Sequence, residues 1–77
     1  MPQIEQVLHV LCGDRGDWVV AEQPVEVAPL SRHRDATTAV RAATIELERR
    51  HADVGEVLLH DRYHHVRVAS RFRRRLS

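Results

Sequence analysis

The chain has 77 residues, of which 43% are hydrophobic and 30% are charged, and its formal net charge is +1. This length allows one domain with a thin core, whose stability is marginal unless a metal, a disulfide or self-association adds to it. An intramolecular disulfide is excluded because Cys12 is the only cysteine. A lone cysteine without an N-terminal apolar segment predicts a cytoplasmic protein. No apolar run approaches the roughly 20 residues that a membrane-spanning helix needs.

The charges are distributed unevenly along the chain. Residues 1–30 carry five acids against Arg15, a balance of −4, and residues 31–77 carry eleven arginines against six acids, a balance of +5. The last sixteen residues contain six arginines and no acid. Such asymmetry is typical of proteins that bind a nucleic acid or another acidic partner. Every base is arginine rather than lysine, which weakens this interpretation because arginine then also takes the place of ordinary solubilising lysine.

The first predicted element is a hairpin. Two β-prone runs, at 4–12 and 18–23, flank a turn cluster at 13–17 with the sequence GDRGD. A short Gly/Asp loop between two such runs favours a hairpin. If Cys12 faces Trp18, strand alternation places on one face Leu8, Val10, Cys12, Trp18 and Val20.

A helix is predicted next. Pro24 and Pro29 restrict residues 25–30 to a loop or a short edge strand, because proline cannot donate to a strand ladder. Asp35 is a good N-cap for the Ala-rich run that follows, and the helix should end near Ala52. Glu46 and Arg50 have the spacing of a supporting ion pair. One apolar stripe of this helix contains Ala36, Ala39, Val40, Ala43 and Leu47.

The stretch EVLLHDRYHHVRV, residues 56–68, predicts a second hairpin. With a loop at 61–64, His60 faces His65, and two apolar pairs, Leu59 with Val66 and Val57 with Val68, lie together on the core face. The chain is therefore predicted to have an α+β fold in two layers. An antiparallel sheet of two hairpins, in the order strand, strand, helix, strand, strand, carries one helix on one face. The single domain should span 1–72, followed by a flexible, Arg-rich tail at 73–77.

Three segments resemble a known bacterial family. HVLC followed by GDWVV, then SRHRDATTAVRAA, then GEVLLHDRYHHVRV are similar to the motifs of the family called domain of unknown function 2188. The resemblance implies a small prokaryotic domain of this fold, without an assigned activity. Asp61 and His64 stand where the family prefers glycine, so the resemblance leaves the turn type open. It covers roughly 8–68 and involves His9, Val10, Trp18, Val20, Ala39, Ala43, Val57, His60, Arg62 and Val66.

The second hairpin also holds the only candidates for a metal site. His60 and His65 would be cross-strand neighbours, with Cβ atoms about 5 Å apart. A stable zinc site needs three or four protein ligands, and no recognised ligand spacing is present. Cys12 is predicted to lie in the core beside Trp18, where a thiol is inert, and so short a chain has little room for a substrate pocket. We therefore predict no enzymatic activity, no cofactor and no small-molecule substrate.

The sheet face away from the helix is predicted to be unusually apolar. A sheet with one helix normally turns a polar face to water, and contiguous exposed apolar residues mark an interface. The predicted homodimer would stack these faces, or pair two sheet edges. The interface candidates on this face are Val7, Leu11, Val19 and Leu58, which it shares with His9, Ala21 and Arg67.

Nucleic-acid binding is the alternative function, with no membrane partner in either case. Arginine side chains neutralise phosphates, and Phe72, next to the tail, could stack on a base. The candidates for this role are Arg62, Arg67, Arg71, Arg73, Arg74 and Arg75.

Overall fold

The computed structural model describes residues 5–25 and 28–73. Along these residues the chain forms β1 (Glu5–Cys12), β2 (Trp18–Ala21), β3 (Ser31–His33), α1 (Ala36–Arg49), β4 (Val54–His60) and β5 (Val66–Arg73). The strands form a five-stranded sheet in the order β3-β2-β1-β4-β5. α1 packs on one face of this sheet, so the predicted α+β class with one helix is confirmed. In the described ranges no helix is long and apolar enough to cross a membrane.

The first hairpin has the predicted register. Cys12 pairs with Trp18, and Val10 pairs with Val20. The turn is closed by the Gly13 amide, which donates to the carbonyl of Asp17 at 2.7 Å. The alternation that was predicted for these strands therefore holds, and Val10 and Val20 are buried beneath α1.

The two hairpins are joined by a parallel pair of strands, so the predicted purely antiparallel sheet is wrong. β1 and β4 run in parallel, with Leu8 beside Val57. Residues 25–30 were predicted as a loop or a short edge strand. The edge strand is β3, at Ser31–His33, and it pairs antiparallel with β2. The chain reverses direction between β1 and β2 and again between β2 and β3, so β3 runs in the same direction as β1. α1 has 14 residues and, at about 1.5 Å per residue, crosses the length of the sheet, so β4 starts at the same end as β3 and β1.

The second hairpin forms, but its predicted register is wrong by one residue. His60 pairs with Val66 rather than with His65, and Leu58 pairs with Val68. The loop gains a residue because His64 adopts a left-handed φ of 65°. A one-residue shift moves side chains to the other face of a sheet. Val66 and Val68, which were predicted in the core, consequently lie on the face away from α1 and are 52% and 47% exposed.

A β-bulge returns the second half of β5 to the core. The pairing shifts between Val57 and Leu58, whose partners are Ser70 and Val68, so that Ala69 is the extra residue. Beyond the bulge, Phe72 pairs with Gly55 and packs against the core from the helix side. A Cβ atom on residue 55 would lie only 2.5 Å from Cε1 of the Phe72 ring. Glycine at this position therefore allows the ring to lie flat on β4.

The start and the buried stripe of α1 follow the sequence prediction. The carboxylate of Asp35 accepts a hydrogen bond from the backbone amide of Thr38 at 2.7 Å, as an N-cap does. The predicted ion pair between Arg50 and Glu46 is present, at 2.7 Å. The predicted stripe is confirmed, with Ala36 and Val40 packed against the buried residues Ala39, Ala43 and Leu47.

The helix ends at Arg49, three residues before the expected position, in a Schellman motif. The amide of His51 donates to the carbonyl of Glu48, and the amide of Ala52 donates to that of Leu47. His51 has a φ of 57°, a conformation that glycine adopts at no steric cost and that other residues adopt under strain. Ala52 and Leu47 are both buried, which completes the hydrophobic contact of this motif.

Replacing the strained residue at the helix end should stabilise the protein. His51→Gly is expected to raise the free energy of unfolding by about 0.5–1 kcal/mol, since it relieves the left-handed strain at an exposed position. Urea denaturation measures the change. His51→Ala is the control and should give no such gain, because alanine carries the same Cβ. Equal stabilities of the two variants would contradict the assignment.

Filling the space beside Phe72 should destabilise the protein. Gly55→Ala is expected to lower the free energy of unfolding by about 1–3 kcal/mol, because the new methyl group overlaps the aromatic ring. In the double variant Gly55→Ala/Phe72→Leu the methyl group has room. Its free energy of unfolding should therefore be higher than the sum of the two single-variant effects predicts. Thermal unfolding of the four proteins in this cycle tests the contact, and strict additivity would argue against it.

Candidate interface on the open sheet face

One face of the sheet has no helix over its centre. We call this centre the open face and define it by six residues of β1, β4 and β5: Val7, His9, Leu58, His60, Val66 and Val68. Strand pairing places Leu58 between His9 and Val68. Val7, Val66 and Val68 are between 40% and 52% exposed. These side chains therefore form a contiguous apolar surface, which is the kind of patch that marks an interaction site.

The part of the same face that lies over β2 is closed within the monomer. Leu11, Val19 and Ala21 form a second buried cluster there. Pro24 and Val25, from the connection between β2 and β3, line one surface depression together with Leu11. Contrary to expectation, Leu11 and Val19 offer almost no exposed surface to a partner. Among the four interface candidates, exposed or partly exposed surface remains at Val7 and Leu58.

Two ion pairs lie at the sides of the open face. The Arg71 guanidinium donates to the Glu56 carboxylate, with Nε and Oε2 2.8 Å apart. Glu56 lies beside Val7 in the strand pairing. On the side of β3, Arg32 bonds to Asp17 at 3.0 Å. The six residues of the open face carry no formal charge while their histidines are neutral.

Two histidines meet on the open face. Nδ1 of His9 and Nε2 of His60 are 2.9 Å apart, so one neutral ring donates its N–H to the lone pair of the other. Burial lowers the pKa of His9, and the neighbouring His60 lowers it further. Burial also lowers the pKa of His60. Since the ordinary histidine pKa is about 6.5, both rings are predominantly neutral at neutral pH.

His65 does not belong to this pair. It lies in the β4–β5 loop, where its Nδ1 is 3.5 Å from Oδ2 of Asp61 and its side chain is 83% exposed. The Asp61 carboxylate accepts hydrogen bonds from the amides of His65 and Tyr63, which lower its pKa. The predicted pairing of His60 with His65 is wrong. Strand alternation had placed His9 on this face, but only the parallel register of β1 and β4 brings it to His60.

The arginines proposed for nucleic-acid binding are spread over several surfaces. Arg62 is exposed in the β4–β5 loop. Arg67 pairs with Leu59, not with Leu58, and so lies on the helix side of the sheet, where it borders α1. Arg71 and Arg73 line a depression of about 420 Å³ that also contains two glutamates. Arg74 and Arg75 lie outside the described residues.

Comparisons with known proteins give no match. No family model, no curated protein and no solved structure matches the chain. The resemblance to domain of unknown function 2188 therefore stands on the quoted sequence segments alone.

Acidification should destabilise the fold through the histidine pair. Because the pKa values of His9 and His60 are lowered in the folded state, the unfolded chain takes up protons first as the pH falls through about 6.5. The contribution of the neutral pair is complete above this pH and is lost as the pH falls toward the folded pKa values. Urea unfolding between about pH 7.5 and 5.5 should show a falling free energy of unfolding.

Two variants separate this effect from that of the other histidines. His9→Asn should flatten the pH dependence, and His65→Asn should leave it unchanged because His65 lies in the exposed loop. A histidine side-chain NMR titration then assigns the protonation steps to single rings. A wild-type slope in His9→Asn would contradict the role of the pair.

Proposed function

We propose that this protein is a non-catalytic self-association module, which forms a homodimer by stacking two open faces. The observation that carries the proposal is the exposure of Val66 and Val68 beside Leu58 on a sheet face without a helix. A small chain with a thin core gains stability when such a surface is covered. The shift of both valines out of the core makes this surface larger on the side of β5 than the sequence predicted.

The charge pattern favours a second copy as the partner. In a twofold dimer the open face of one copy stacks on the same face of the other copy. A net charge at the centre of this face would therefore lie against a like charge. The centre of the open face is apolar, and its two histidines are neutral at neutral pH. Glu56 and Arg71 at the rim neutralise each other. Stacking two such centres therefore buries no formal charge among the six residues of the open face, while Glu5 and Arg73 lie beyond Val7 at the end of the sheet.

The sheet edges are less suited to dimerisation. β3 has three residues, which gives a short edge ladder. β5 carries the bulge at Ala69 and exposes Arg67 and Arg73 along its length. Bulges and outward charges are the features by which proteins block pairing between edges. In an antiparallel pair of β5 strands these arginines would also approach each other.

Nucleic-acid binding remains the second proposal, and the arrangement of the arginines gives it less support. The guanidinium of Arg71 is engaged by Glu56. Arg62 and Arg67 lie on different surfaces. A phosphate backbone would therefore meet scattered cations rather than one basic track.

A charge placed on the open face should break the proposed dimer. Val66→Glu and Val68→Glu are each expected to raise the dimer dissociation constant at least about tenfold, because a carboxylate would be buried against an apolar copy. Sedimentation velocity over a concentration series measures this constant. Ile45→Glu is the matched control, since Ile45 on α1 is 55% exposed and lies away from the open face. It should dimerise like the wild type.

Two outcomes would overturn the proposal: a wild-type chain that stays monomeric throughout the concentration series, or equal effects of the substitutions on Ile45 and Val66. The same runs with a short oligonucleotide at low and moderate salt test the alternative. Binding that falls steeply with salt would support the nucleic-acid proposal.

A further inference from the structure

Within the described ranges, neither His9 nor His60 has a side-chain hydrogen-bond partner other than the ring of the other histidine. The only side-chain hydrogen bond that either ring makes there is the one between them, at 2.9 Å. No carboxylate or backbone carbonyl of those residues orients either ring. Buried histidines usually have such a partner, which fixes the tautomer. Here two nitrogen atoms share one proton on an otherwise apolar surface.

The spacing of the two nitrogen atoms is close to that of two ligands on one metal ion. Zinc–nitrogen bonds are about 2.0–2.1 Å long, so two imidazoles on a tetrahedral ion have their nitrogen atoms about 3.3 Å apart. Small side-chain rotations would open the observed 2.9 Å to this distance. The ion would take the place of the shared proton. Each imidazole would bind the ion through the lone pair of a neutral ring nitrogen.

One chain supplies only two of the four protein ligands that a closed metal site needs. Within the ranges that the structure describes, no group of three or more His, Cys, Asp and Glu side chains could hold a metal ion. A structural zinc site has four ligands. The missing two are available in a dimer of open faces, where a twofold axis through the pair brings the same two histidines of the second copy opposite. Sheets that stack face to face lie about 10 Å apart, which leaves each imidazole about 5 Å to reach the midplane.

The surroundings of the pair suit such a site. His9 lies beside Leu58, and His60 lies beside Val66. The nearest acidic group along the chain, Asp61, is held by the amides of its own loop. The strand neighbours of the pair are thus apolar, and His60 also lines a depression with Cys12, Asp14 and His64.

We propose that His9 and His60 form one half of an interfacial site for a divalent transition-metal ion of the zinc class, which the same two residues of a second copy complete. This inference rests on the open-face dimer proposed above. It gives the dimer a ligand and makes its stability depend on the concentration of free metal.

The test uses the full chain, freed of metal with a chelator and then titrated with zinc chloride. Isothermal calorimetry should give one zinc per two chains. Sedimentation velocity should show a dimer dissociation constant at least about tenfold lower with zinc than without it, which corresponds to about 1.4 kcal/mol. His9→Phe and His60→Phe should lose both responses while they keep an apolar open face. Circular dichroism checks that each variant is folded.

The control variants are His51→Ala and His65→Ala, which remove exposed histidines away from the pair and should keep both responses. One zinc per monomeric chain, or unchanged uptake in His9→Phe, would overturn the inference. If the metal-free chain dimerises and Val66→Glu disrupts it, but zinc has no effect, the metal site is wrong and the open-face dimer stands. If the chain is monomeric with and without zinc, both proposals fail.

Discussion

A single helix of 14 residues can cover only one face of a five-stranded sheet, and much of this structure is a response to that limit. The small stripe residues Ala39 and Ala43 allow α1 to approach the sheet closely, so Leu8, Val10 and Val57 are fully buried in the first core. The other face must be closed by different means. Over β2 the side chains of Leu11, Val19 and Ala21 are buried, and Pro24 and Val25 line a depression beside Leu11. Over β4 and β5 the described residues provide no such cover.

The local parts of the fold could be read from the sequence because they depend on neighbours along the chain. Asp35 caps the helix, the stripe from Ala36 to Leu47 packs, and the first hairpin has the register that places Cys12 opposite Trp18. Each of these follows from alternation, from the helical period or from a short turn. The open face was predicted as apolar for the same reason, and Val7 and Leu58 lie on it.

The predictions that failed concern strand direction and register, where a few local residues determine which distant parts of the chain meet. Residues 25–30 were predicted as a loop or a short edge strand, and the predicted sheet had two strands before the helix. The third strand, β3, reverses the direction expected for β4. A left-handed His64 and a bulge at Ala69 each changed the register of β5 by one residue. Residues other than glycine are uncommon in that conformation, although histidine is among those enriched in it, and no pattern in the sequence marked the bulge. The contact between His9 and His60 depends on the parallel pairing and was missed with it.

The order of the strands determines where the chain could be circularly permuted or attached to other molecules. Glu5 and Arg73 both pair with Val54, on opposite sides of β4, so the two ends of the described chain lie about 10 Å apart at one end of the sheet. A linker of a few residues could join them. New termini could then be opened in the loop between Asp61 and His65, at the far end of the same strands. Labels or surfaces attached at residues 5 and 73 would leave that loop and the histidine pair clear.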